Sequence, residues 1–172
     1  MPLSMYQASI PVLIRGLEVL STLLEKGSAH AATKGLDPAT LVMARLAPDM
    51  LPLSGQVQRA SDTSKFAAER LTGVPAPRFE DKEVTFEELQ ARIRATLAYL
   101  RTIEPGQMEG SEIREVVVAT RDSKWVFRGD SYLLTFALPN FFFHITTAYD
   151  ILRQNGVVIG KRDYLGPFDA QG

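Results

Sequence analysis

The chain has 172 residues, no cysteine, two histidines and a net charge of −1. Without cysteine it can form no disulfide, thiolate metal site or cysteine nucleophile, and without a basic stripe a nucleic-acid partner is not expected. Hydrophobic content of 45% with 23% charge fits a single globular domain over residues 1–172, long enough to bury a core. No basic segment followed by a long apolar run opens the chain, and Arg15 and Glu18 interrupt the first apolar stretch. The reading is therefore a cytoplasmic chain with no signal peptide and no membrane partner.

A first helix is expected from Ser4, because Ser4 and Gln7 have capping-box spacing. Ile10, Leu13, Ile14, Leu17, Leu20, Leu23 and Leu24 then form an apolar stripe that ends at about residues 26–32. His30 falls at that fraying end and reads as a surface residue. Asp37-Pro38 signals a second start, since a proline at the first helical position loses no bond. Pro48 and Pro52 break this stretch, and a second rod is expected over residues 53–71, stopped by Gly73. If helical phase continues through the bend, Asp49, Leu53, Gln56, Ala60 and Thr63 share one face. Asp49 and Gln56 would then point inward; otherwise Asp49 caps the rod and Gln56 is solvated or bridges helices.

Residues 73–84 are too long for a tight hairpin between helices and are expected to cross over, bringing the third rod parallel to the second. Thr85 and Glu88 repeat the capping box. Phe86, Leu89, Ile93, Leu97 and Leu100 give an apolar stripe, with Glu87, Arg92, Arg94 and Arg101 on the wet face. Val116 to Val118 and Trp125 to Phe127, separated by Arg121-Asp122-Ser123, read as a small β-hairpin. A lone hairpin is marginal, so Trp125 and Phe127 must pack on a helix or on a partner chain.

From Asp130 to Asn155 the apolar residues recur at helical spacing, with Asp130 or Ser131 as cap and Asn155-Gly156 as stop. Pro139 has no amide proton and should bend this rod. Asn140 and His144 lie four apart, on one face, inside the apolar stretch. They either repair the kink and sit satisfied in the core, or point into a bundle interior as ligands. No G-x-G-x-x-G, phosphate loop, G-x-S-x-G or His-Glu-x-x-His is present, and two histidines cannot supply a three-histidine zinc site.

Several blocks carry a resemblance: residues 4–6, 45–50, 136–141, His144 with 148–153, and 160–166. Together they resemble a bacterial family of unknown function grouped with the DinB/YfiT-like metalloenzymes. The resemblance implies an all-α, up-down-down-up four-helix bundle, often dimeric, here with the hairpin before the last helix. It also implies a divalent metal such as zinc or nickel, held in the superfamily by one histidine of the second helix and two of the fourth. At those places this chain offers Asp49 or Gln56 and the pair Asn140 and His144. The expectation is a homodimeric bundle with a small polar pocket lined by Asp49, Gln56, Asn140 and His144. His144 and Asp49 are its candidate metal ligands. The alternative is a metal-free small-molecule-binding or homodimeric interaction module without catalysis; whether the chain is an enzyme stays open.

Overall fold

The computed structural model describes residues 3–119 and 122–168. At its start the Ser4 and Gln7 side chains close each other's backbone amides, and α1 (Met5–Lys34) follows. It outlasts the expected end because Gly35, at φ 62°, terminates it with an amide directed to the Ala31 and Ala32 carbonyls. His30 consequently lies inside the helix and is half-buried beside Gly156. The stripe from Ile10 to Leu24 is buried apart from half-buried Ile14, each fully buried leucine or isoleucine side chain contributing about 1.5–3 kcal/mol. Among the described residues α1 alone is long and apolar enough to cross a membrane; here that stripe packs on helices of its own chain.

α2 (Pro38–Val42) is short and capped by Asp37, whose carboxylate accepts from the Ala39 amide. α3 (Leu53–Thr72) ends at Gly73, and α4 (Phe86–Leu100) opens with the Thr85–Glu88 box. Residues 73–84 form an extended strap. The Tyr99 hydroxyl donates to the Val74 carbonyl at 2.7 Å and the Lys65 ammonium to the Pro77 carbonyl at 2.9 Å. Arg92, expected on the wet face, is buried beneath this strap. Helical spacing places it correctly away from the apolar stripe, but the strap roofs over that polar side of α4 and turns it into interior.

After a 3₁₀ turn (Pro105–Met108), β1 (Glu115–Ala119) pairs antiparallel with β2 (Lys124–Arg128), Val117 opposite Val126. Arg121 of the expected turn lies outside the described residues. Phe127 packs on Tyr132 and Phe136, and Trp125 lies 6.5 Å from Phe136, so the hairpin leans on the helix that follows. That last rod comprises α5 (Gly129–Ser131), a π turn (Tyr132–Ala137) and α6 (Leu138–Gln154). Neither Asp130 nor Ser131 caps it. The cap position falls to Arg128, and the Asp130 carboxylate takes the Ser131 amide and the Arg128 guanidinium instead. The π turn is the response to Pro139: the Leu138 amide reaches back five residues to Leu133 just ahead of the proline. α7 (Lys161–Leu165) docks through Lys26–Asp163 at 2.5 Å, and Arg15 donates to the Leu165 and Pro167 carbonyls.

The fold is mostly helical with one small antiparallel hairpin. α1 packs on α4 and α6, and α3 packs on the same two helices. Gly16 allows α1 and α6 to approach closely: a Cβ there would stand 2.4 Å from the Phe141 ring. The seam between α3 and α6, directly after the π turn, holds the polar residues singled out in the sequence.

Candidate functional site at the seam of α3 and α6

Gln56 is buried in the first turns of α3, and its Nε2 donates to the Leu51 carbonyl at 3.0 Å. That bond fixes the amide so that Oε1 faces His144 Nδ1 at 2.8 Å. An amide oxygen only accepts, so Nδ1 carries the imidazole proton and Nε2 keeps a free lone pair. Nε2 has no partner among the described residues and is not among the buried unpartnered atoms, so solvent reaches it. Burial, with the charge of Arg59 as a smaller cause, pushes the ring down to about 4. His144 is therefore neutral at pH 7. Beside it, Phe143 stands edge-on at 5.3 Å and remains 54% exposed.

One turn earlier, Asn140 Nδ2 donates to Thr63 Oγ1 at 2.9 Å, tying α6 to α3 just past the proline. The structure thus brings together three of the four expected residues. Asp49 is not among them. It is exposed in a turn and has no hydrogen bond or ion pair with any described residue. Residues 44–52 fold back on themselves, with Arg45 donating to the Pro48 and Met50 carbonyls and the Leu53 amide closing on Ala44. Helical phase is broken there, so Asp49 does not share the face of Gln56. Nor does it cap α3, whose cap residue is Pro52 with no side-chain bond.

A model of a domain of unknown function, DUF1993, matches residues 5–165. The chain belongs to this family. Among solved structures, a DinB family member protein from Shewanella denitrificans is 35% identical to the DUF1993 chain, with a TM-score of 0.90. The match covers 97% of this chain and 94% of that one, so the fold is DinB-like. No curated protein matches.

The donors at the seam do not suit the divalent metal expected from the sequence resemblance. No three His, Asp or Glu side chains gather as a metal site among the described residues. The nitrogen and oxygen donors at the seam are one free imidazole nitrogen, two amides and the Thr63 hydroxyl, all neutral. Gln56 Oε1 is already turned to Nδ1, and Asn140 presents its NH₂ to Thr63. Zinc or nickel held by one neutral nitrogen and neutral amide oxygens would be weakly bound.

Sequence reasoning missed a second polar centre, beneath the strap. Arg92 meets Asp62, Asp81 and Glu83 at 2.7, 2.7 and 3.0 Å, and Lys65 meets Asp62 at 3.0 Å. Both cations lie against the Phe79 ring, at 4.7 and 4.1 Å. Burial pushes the Lys65 ammonium down against the pull of Asp62, and the Arg92 contacts hold Asp81 below the usual carboxylate range. The only linear signal was the run of charge at residues 80–83, opposite cations on α3 and α4.

Proposed function

We propose that this DUF1993 chain is a metal-free small-molecule-binding module, a relative of the DinB-like metalloenzymes that has replaced their ligand set. The supporting observation is the Gln56–His144 bond: it leaves a neutral Nε2 acceptor open to solvent beside the exposed Phe143 ring. Such a pair suits a small neutral molecule that donates one O–H or N–H and lays an apolar face on Phe143. Phenol is a probe with both features, and anisole is its counterpart without the donor. Phenol is expected to shift the His144 Nε2 resonance and to bind more tightly than anisole, a difference that His144→Gln reduces. Zinc should not be retained. The reading is overturned if anisole matches phenol, if phenol leaves His144 unmoved, or if one zinc per chain is retained and His144→Ala loses it.

The same proposal includes an up-down-down-up arrangement of α1, α3, α4 and α6. Its supports are pairs of contacts that advance or retreat together. Gly16 with Phe141 and Gly27 with Leu152 suggest α1 and α6 alongside in one direction. Gln58 with Arg92 and Ser61 with Thr96 suggest the same for α3 and α4. Thr63 with Asn140 and Gln56 with His144 run opposite ways, as do Glu18 with Arg101 and Ser21 with Gln90.

A further inference from the structure

An open cavity of about 680 Å³ lies where the first turn of α1 meets the 3₁₀ turn and the π turn. That is the size of a small-molecule site. Its floor is apolar and buried, with Met108 and Leu133, and exposed Leu3 and Leu134 form its lips. Among the described residues its charged lining is wholly acidic: Glu109, Glu112 and Asp130 contribute carboxylates, and no lysine, arginine or histidine lines it. Asp130 is already paired with Arg128 at 2.8 Å. Glu109 and Glu112 are exposed and have no ion-pair partner among the described residues. The cavity is separate from the seam, because Leu133 precedes His144 by eleven residues, roughly 15 Å along the helix.

We infer that this cavity binds a small amphipathic amine. The apolar body of such a molecule would cover Met108 and Leu133, and its ammonium would sit at the two unpaired glutamates. An alcohol of the same length would gain the apolar burial without the charge pairing, and a carboxylate would be repelled. The cavity supplies the apolar term and the unpaired carboxylates the sign, so each can be removed separately.

The full chain, with its methionine methyls labelled, can be titrated with octylamine, octanol and octanoate. Octylamine is expected to shift Met5 and Met108, which line the cavity, and to leave Met43 and Met50 in place. It should bind about threefold to fivefold tighter than octanol, a difference on the scale of one solvent-screened ion pair, and octanoate should bind weakest. Glu109→Gln with Glu112→Gln should erase the preference for amine while octanol still binds. Ala8→Phe, which fills the cavity from α1, should weaken octylamine at least tenfold. Should Ala8→Phe fail to fold, the double glutamine variant decides, since it changes only exposed side chains. Equal affinity for amine and carboxylate, or equal shifts at Met43 and Met50, would overturn the inference.

Discussion

At the residue scale the site depends on how one ring is held. The Leu51 carbonyl orients Gln56, Gln56 orients His144, and the outcome is a neutral imidazole with its acceptor nitrogen outward. Folding lowers the affinity of this ring for protons, from an ordinary value of 6.5 to about 4. As pH falls through 6.5 the unfolded chain takes up the proton first. The ring's contribution to stability is therefore complete above pH 6.5 and lost progressively down to about pH 4. Urea unfolding should show wild type losing about 1–3 kcal/mol more than His144→Gln across that window, the range allowing for partial exposure of the ring. Parallel losses in the two proteins would contradict the assignment. Asn140 and His144 were readable in the sequence because polar groups four apart inside an apolar stretch stand out, and Gln56 because helical phase puts it on one face with Leu53, Ala60 and Thr63. Asp49 was misread, because the turn that breaks phase at residues 44–52 is held by the Arg45 guanidinium and the Leu53 amide bonding to backbone carbonyls, which no spacing rule reveals.

At the element scale, two devices shape the molecule: the π turn before Pro139 and the strap over α3 and α4. Proline chemistry made a disturbance of the rod at Pro139 legible; that the chain would meet it with a π turn, its Tyr132 and Leu133 buried, was not. Gly129, just before this rod, is fixed by space: a Cβ there would stand 1.8 Å from the Ser111 carbonyl oxygen. The strap turns Arg92 into interior, a placement invisible to a helix read alone. Arg92→Met removes the buried cation shared by Asp62, Asp81 and Glu83, leaving Lys65 on Asp62 and Arg59 on Asp62 and Asp81, and should cost about 3–5 kcal/mol, as expected for a buried pair broken on one side. Lys82→Ala removes a pair whose side chains are both 79% exposed and should cost about 0–1 kcal/mol. Denaturant midpoints measure both, and similar losses in the two variants would refute the buried latch.

At the scale of the whole molecule, the mostly helical DinB-like fold was legible because three of the four long rods carry clean apolar stripes. The caps at Ser4 and Thr85 and the stops at Gly73 and Gly156 marked most of their ends. The seam between α3 and α6 was less so, because a site assembled from two rods has no linear signature beyond the polar residues themselves. The resemblance to the DinB/YfiT-like bundles led to an expectation of metal ligands at that seam, where this chain places two amides, a threonine hydroxyl and one imidazole. The account therefore rests on the state of His144 within the intact fold. Nitrogen-15 NMR of the full chain across pH 3–8 measures it directly. The account predicts a protonated Nδ1 and bare Nε2 at pH 7, with a midpoint near 4. A midpoint near the ordinary 6.5, or a proton on Nε2 at neutral pH, would contradict it.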